Sequence, residues 1–365
     1  MSSVLRVGIV GCGEVAQTTH LPTLQLLSHL YKVTALCDVS PSFLNHCATK
    51  FGITSTYSDF SDLVKDSNVD LIVILTADEY HADYAVQAAD AGKHVLVEKP
   101  MSLTHKDTQA VIAAQERNPN VTIFHGTMRR YAGAFVRMKE ELKSLSTISH
   151  VVVRDIIGLN SFFVNESGTF PQAFTDFPPE SGADRAARGK AMVEAAIGAE
   201  RAANPQDNMT WRLLGGLGSH DLSAMRELLG TPKRCIAATR SWQGGLPFIT
   251  ALFDYDGFTA VYETGIDKVA SFDAFIEVIG DGKRLKLEYD TPYVKGLPIT
   301  LSIKETDAQG HYTERTIRPT YKDAYTLEYE YLHDAISTGK PVKSDPKDAE
   351  QDLVVFDQIF AALVN

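Results

Sequence analysis

One feature constrains this chain more than any other: an apolar run that passes without a break into a glycine turn. Residues 4–10 read Val-Leu-Arg-Val-Gly-Ile-Val, the pattern of a strand buried on both faces of a parallel sheet. Gly11-Cys12-Gly13-Glu14-Val15-Ala16 follows at once, and a helix is expected over about 15–30. In a Gly-x-Gly-x-x-Ala turn between a strand and a helix, Gly11 makes the tight turn and Gly13 lets backbone approach a pyrophosphate. Ala16 permits close helix–strand packing, and the helix start, with Glu14 and Val15, faces the phosphates. A second strand, 32–37, ends in Asp38, 25 residues after Gly13. An acid at that place accepts hydrogen bonds from the ribose hydroxyls of NAD and repels the extra phosphate of NADP. The following Val39-Ser40-Pro41 offers that phosphate no Arg or Lys. The expected cofactor is NAD, with NADP less favoured.

The alternation continues with a helix at 41–51, a short one at 59–65 and a strand at 69–75. The loop Thr76-Ala77-Asp78-Glu79-Tyr80-His81 leads into a helix that stops at Gly92. Next comes Lys93-His94-Val95-Leu96-Val97-Glu98-Lys99-Pro100, a buried strand ending in two charges and a proline that cannot continue it. Ser102 or Thr104 caps a helix to about 117, and 121–124 is another strand. Strands and helices in this rhythm define a Rossmann doubly wound parallel sheet, expected over 1–126. In such a sheet ligands bind at the carboxyl ends of the strands, which singles out Lys99 as a chemical centre.

From 127 the pattern changes. Strands are expected at 150–157, 233–242, 248–255, 258–264, 272–280, 284–288, 300–305 and 311–317, with hairpin turns at Asp256-Gly257 and Asp281-Gly282. The expectation for 127–365 is an α+β domain for substrate binding and oligomerisation, built on a large, mostly antiparallel, open-faced sheet. Such a face suits a homodimer or homotetramer. The stretch 158–210 is irregular except for a helical segment at 182–203, read as a solvated amphipathic helix or as an inserted lid or arm.

Charge narrows the partners: 35 basic against 46 acidic residues give −11, which disfavours nucleic acid and anionic membranes. Cys12, Cys37, Cys47 and Cys235 lack the spacing of a metal or redox site and read as reduced core thiols of a cytoplasmic protein. The first six residues are too short and polar for a signal peptide, and no apolar run approaches the ~20 residues of a membrane helix.

Taken together, these residues resemble the glucose–fructose oxidoreductase / inositol dehydrogenase / rhizopine-catabolism family (Gfo/Idh/MocA) over nearly the whole chain. The anchors are the Gly11 turn, the Thr76–His81 loop, Glu98-Lys99-Pro100, Gly126 with Arg130-Tyr131, Trp211-Arg212, Gly218-Ser219-His220 and Ser337-Thr338-Gly339-Lys340-Pro341. The resemblance implies NAD(P)-dependent oxidation of sugars, sugar derivatives or cyclitols. It implies that Lys99 contacts the nicotinamide ribose and the reacting hydroxyl, often after a cis peptide, and that His220 is the acid/base. The two would meet in a cleft between the domains. Glu98, Thr76 and His81 would border the cofactor, His81 more as a helix cap than as a reactant. Arg130, Tyr131, Asp155 and Trp211 are candidate substrate contacts. A histidine titrates near working pH and can take the hydroxyl proton, while an ammonium stabilises the alkoxide.

One position departs from the family. The aspartate usual four residues before the histidine is Gly216, and the acid usual three residues after it is Ser223. Asp221 is expected to point elsewhere, leaving Asp155, Asp176 or Arg154 as possible assistants. Three further readings stand beside the dehydrogenase: an NAD-sensing regulator without catalysis, which Gly216 favours, a redox-neutral glycosidase or epimerase that retains NAD, and, given the aromatic residues of the inserted stretch, a reductase of a non-sugar carbonyl.

Overall fold

A computed structural model describes residues 4–243 and 246–364. The chain forms two compact units. The first gathers the residues up to 127, then 167–208 and 328–353; the second holds 128–166, 209–327 and the chain from 354 onward. Residue 127 is thus only the first crossing, because the inserted stretch and part of the C-terminal region return to the first unit.

The first unit contains β1 (Leu5–Val10), β2 (Tyr31–Cys37), β3 (Ser55–Tyr57), β4 (Leu71–Ile74), β5 (His94–Glu98) and β6 (Ile123–Gly126). Their order is β3-β2-β1-β4-β5-β6, with every pair parallel. The chain runs outward from β1 in one direction and then in the other, so the switch point lies between β1 and β4. Helices cover both faces, which is why β4 and β6 are buried at every position. Val10, Ile72, Ile74, Val95 and Ile123 pack with Ala85, Ala88 and Ala89 of the helix His81–Asp90 in one apolar cluster. The helix Pro41–Phe51 starts at an N-cap, Ser40, whose Oγ accepts from the Phe43 amide, and ends at Gly52 in the left-handed region. Thr104 is the cap of His105–Arg117.

The helix expected over 15–30 is shorter and less regular. A π-helical turn, Ala16–His20, precedes an α-helix over Leu21–Leu26. Two local causes act here. Thr18, Thr19 and Thr23 donate their hydroxyls to carbonyls four residues back. Pro22 supplies no amide at all.

The second unit is built on β7 (His150–Ile157), β8 (Arg234–Gln243), β9 (Leu246–Asp254), β10 (Thr259–Ile266), β11 (Phe272–Gly280), β12 (Lys283–Tyr289), β13 (Thr300–Thr306) and β14 (Tyr312–Ile317). The order is β14-β13-β12-β11-β7-β10-β9-β8, antiparallel except for the parallel pair β7–β10. Burial alternates strictly along β7, so one face is core and the other is half-exposed. The glycine-rich stretch before His220 is helical. Pro205–Leu213 passes through a π-helical turn, Leu214–Gly218, into Ser219–Leu229. A short helix, Asn160–Asn165, was also not foreseen.

The inserted stretch folds into Pro179–Ile197 and Ala199–Ala203, parted by Gly198. It packs on the first unit of its own chain. The Tyr80 hydroxyl donates to Asp184 at 2.9 Å, Arg188 pairs with Asp83 at 3.2 Å, and Arg185 pairs with Glu79 at 3.3 Å.

Candidate active site

The candidate nucleotide-binding residues sit at the carboxyl ends of the parallel strands of the first unit. Gly11 has φ +94°, and a Cβ there would lie 2.6 Å from the Leu75 carbonyl and 2.8 Å from the Thr76 nitrogen. Only glycine lets the first turn pass so close to the end of β4. Gly13 differs: a Cβ would meet nothing within 4 Å. Its smallness serves no packing inside the protein, which fits a backbone kept bare for an approaching ligand. Glu14 is exposed beside it and Val15 half-buried, while Ala16 is buried at the helix start.

Asp38 joins the two turns. Its Oδ2 accepts from the Cys12 amide at 2.7 Å and its Oδ1 from the Ser40 amide at 2.8 Å. Burial pushes its carboxyl above the usual range, the two amides pull it back, and nearby Asp176 adds to the rise. Each oxygen keeps a second lone pair for a ribose hydroxyl.

On β4's loop, the Thr76 hydroxyl is buried without a hydrogen-bond partner in the protein, an orphan that suits a bound polar group. His81 is nearly inaccessible. One ring nitrogen lies 2.7 Å from the Pro100 carbonyl and the other 3.0 Å from the Thr76 carbonyl. The ring therefore ties the Thr76 loop to the Lys99-Pro100 turn, whose peptide is cis.

Lys99 is half-buried at the end of β5, and the groups that fix it lie behind it. Glu98, itself 6% exposed, accepts the Lys99 amide on Oε2 at 3.0 Å and faces His20 on Oε1 at 3.1 Å. The other His20 nitrogen meets the Tyr329 hydroxyl at 2.8 Å, and the Tyr31 hydroxyl donates to the Tyr329 carbonyl at 2.7 Å. Burial would raise the Glu98 carboxyl, yet His20, Lys99 and the amide together hold it below the ordinary value. Sequence reasoning missed His20 and Tyr329. They stand 309 positions apart, and no local pattern links them.

His220 belongs to the second unit. His220 is half-buried in the first turn of Ser219–Leu229, and its Nδ1 is shielded from solvent. Ser219 donates to the Gly215 carbonyl at 2.7 Å, bracing the π-helical turn before it. Such turns often mark functional sites, because the extra residue re-aims the side chains of the next helical turn. Gly218 lies against β10, where a Cβ would come 2.8 Å from the Tyr262 hydroxyl. Gly216 is exposed, with open space around it.

Beneath this helix lies a buried charge cluster. Arg129 pairs with Asp155 at 3.1 Å and with Asp221, all three essentially inaccessible. The guanidinium also stacks over Tyr289 at 5.0 Å and Phe272 at 5.5 Å. Asp221 is turned to Arg129, a residue that the sequence did not flag. Its neighbour Arg130 is paired with buried Glu227 at 2.7 Å, and Tyr131 is buried in the same turn. Trp211 is 1% exposed and packs edge-on against Phe356 and Phe360. Asp155 and Trp211 thus support the second unit from within. Arg154 lies on the other face of β7, paired with Glu263 at 2.7 Å and Asp273 at 3.3 Å. Asp176 belongs to the first unit, where it bonds Ser40 and Ser42. Among the described residues, no group of three His, Cys, Asp or Glu is placed to hold a metal, and no helix is long and apolar enough to cross a membrane.

A parallel sheet with a glycine turn, an acid closing its second strand and a Lys-Pro turn at its carboxyl edge defines a dinucleotide-binding oxidoreductase fold with a second α/β unit. Residues 5–126 match "Oxidoreductase family, NAD-binding Rossmann fold", and residues 191–363 match "Oxidoreductase family, C-terminal alpha/beta domain". The chain belongs to the Gfo/Idh/MocA family of oxidoreductases. The inositol 2-dehydrogenase of Salmonella typhimurium is 36% identical over 141 residues, 38% of this chain and 42% of that protein. The match thus spans less than half of that relative. Inositol 2-dehydrogenase 2 of Saccharopolyspora erythraea is 24% identical over 345 residues, 92% of this chain and 86% of that protein. Two solved structures share the fold. KijD10, a 3-ketoreductase of Actinomadura kijaniata in complex with NADP and TDP-benzene, has a TM-score of 0.73 at 17% identity, over 99% of this chain and 98% of that one. The scyllo-inositol dehydrogenase of Lactobacillus casei has a TM-score of 0.71 at 18% identity, over 100% and 97%.

Proposed function

We propose that this protein is an NAD-dependent dehydrogenase or reductase acting on a secondary alcohol or ketone of a sugar-like or cyclitol-like ring. The observation that carries the reading is the Glu98-Lys99-Pro100 turn, held from behind by His20 and from the side by His81. A buried strand that ends in an ammonium, with a carboxylate fixing its amide, is costly to build for packing alone. The named relatives act on inositols and on a keto group, both of which fit a ring carbinol.

The residues that fit the dinucleotide are Gly11, Gly13, Glu14 and Val15 at the phosphates, Asp38 at the ribose, and Thr76, His81 and Glu98 around the nicotinamide end. When bound, the nicotinamide accepts hydride from a carbinol carbon or returns it to a ketone. His220 takes the hydroxyl proton in oxidation and gives it back in reduction. The Lys99 ammonium hydrogen-bonds the same oxygen and stabilises the charge that develops on it. Glu98 keeps Lys99 in place by holding its amide. The half-exposed face of the second sheet suits a homodimer or homotetramer.

Gly216 favours one rival, an NAD-sensing regulator, because the family's usual acid is missing there. One experiment separates the two. Purified protein is mixed with NAD and a panel of cyclitols and sugars, and NADH is followed at its absorbance maximum. Lys99→Ala should abolish turnover with NAD affinity retained. An unchanged kcat in that variant removes Lys99 from the chemistry, and NAD binding without NADH from any substrate favours the regulator.

A further inference from the structure

The helix Pro41–Phe51 begins three residues after Asp38, and its first turn already holds an anion. Asp176 of the inserted stretch accepts from the Ser40 hydroxyl at 2.5 Å and from the Ser42 amide at 3.0 Å. A carboxylate at a helix start is stabilised by the bare amides and the helix dipole. Its backbone is anchored on several sides. Phe174 and Phe177 lie on Phe43 with ring centroids at 5.1 and 5.9 Å, and Phe174 also meets His46. Gln172 and Gln17 exchange two hydrogen bonds, at 2.8 and 3.0 Å. Lys50 donates to the Phe170 carbonyl at 3.3 Å.

The chemistry of that turn decides what the pocket admits. Asp38 ends β2 where ribose hydroxyls are bound in this fold. A phosphate on the ribose 2′ oxygen needs donors on the residues just beyond that acid. Here those residues are Val39 to Ser42, without a cationic side chain, and the Ser40 hydroxyl and Ser42 amide are taken by Asp176. We propose that Asp176 is a second specificity-determining residue: the chain's own carboxylate occupies the anion-accepting turn beside Asp38, so that NAD is admitted and a 2′-phosphorylated dinucleotide is refused. Two carboxylates then face the 2′ position from different segments. The electrostatic effect of Asp176 on the Asp38 carboxyl is consistent with this closeness. The inserted stretch becomes a selectivity device. This inference rests on reading Asp38 as the ribose acceptor.

The test is equilibrium binding by calorimetry, with NAD, NADP, 5′-AMP and 2′,5′-ADP as probes. The native protein is compared with Asp176→Ala, Asp176→Asn, Asp38→Ser and Asp184→Ala. Both Asp176 variants should bind NADP and 2′,5′-ADP about three- to fivefold more tightly, with NAD and 5′-AMP changed less than about twofold, a contribution of the size expected for one exposed charge. Asp184→Ala loosens the same stretch at Tyr80 without touching the carboxylate and should leave all four affinities in place. The inference is overturned if neither Asp176 variant gains NADP affinity, or if all four ligands shift together, or if Asp184→Ala gains as much. If the native protein already binds NADP as well as NAD and Asp38→Ser changes neither, the reading of Asp38 itself falls, and the inference with it. The isosteric Asn variant guards against a folding defect in Ala.

Discussion

Replacing Asp221 by asparagine should leave the protein as stable at neutral pH as it is now, or more so, although Asp221 is fully buried and paired with Arg129. One guanidinium, itself nearly inaccessible, faces two buried carboxylates, Asp155 and Asp221. Two negative charges and one positive charge out of water are unfavourable, and the cluster is relieved if one carboxyl carries a proton. Burial raises the Asp221 carboxyl well above its ordinary value of 3.8, and Asp155 raises it further against the pull of Arg129. Asparagine reproduces the protonated form, donating toward Asp155 and accepting from Arg129, so a change within about 1 kcal/mol or a gain is expected at pH 7. Arg129→Met leaves two buried carboxylates without a cation and should cost about 3–5 kcal/mol. The sign of the pH dependence comes from the raised folded pKa. Asp221 binds its proton more tightly folded than unfolded. Its contribution is therefore complete below the unfolded value and is lost as pH rises through the folded one. Asp221→Asn has no such loss, so its stability relative to the native protein should improve as pH climbs from 4 to 7. Urea unfolding monitored by tryptophan fluorescence reads this directly, because the chain has two tryptophans, Trp211 and Trp242, both in the second unit. A cost above about 3 kcal/mol for Asp221→Asn at pH 7, or a gap that does not move with pH, would refute the reasoning.

Three further outcomes concern the first unit. Gly11→Ala places a Cβ 2.6 Å from backbone at a φ of +94° and should cost about 1–3 kcal/mol together with measurable NAD affinity, read by urea midpoint and calorimetry. Glu98→Gln removes a carboxyl whose folded pKa is depressed; the stability it contributes is present above the unfolded value and is lost as pH falls through the folded one. The variant should therefore lose about 1.5–3 kcal/mol at pH 7 and show a flatter acid limb in a pH series of thermal melts. Tyr329→Phe removes the hydroxyl that meets His20 at 2.8 Å and should cost about 1 kcal/mol while lowering kcat more than NAD affinity, because it loosens the support of Lys99.

Local chemistry made much of this legible beforehand. Gly11, Gly13, Asp38 and Lys99-Pro100 sit where a strand ends, and period and punctuation reveal strand ends in one dimension. The parallel sheet was readable from the alternation of apolar runs with helices, and the second sheet from period-2 patterning and its Asp-Gly turns. The π-helical turn at Leu214–Gly218 was hidden because its glycines carry no helical periodicity, while the helices on both sides carry it through. The shape of the Ala16–His20 turn was hidden because it depends on threonine hydroxyls bonding back to carbonyls.

By itself the sequence determined the class of fold and the glycine turn of the nucleotide-binding unit, because each is written in contiguous residues whose backbone preferences act locally; Lys99 and His220 entered as the proposed ammonium and imidazole. Only the tertiary structure decided what holds those groups. His20 and Tyr329 stand behind Glu98, Arg129 is held between Asp155 and Asp221, and Asp176 is laid on the helix start beside Asp38. These partners come from segments far apart in the chain. Buried charges must find complements wherever packing brings them, and no pattern along the sequence encodes that meeting.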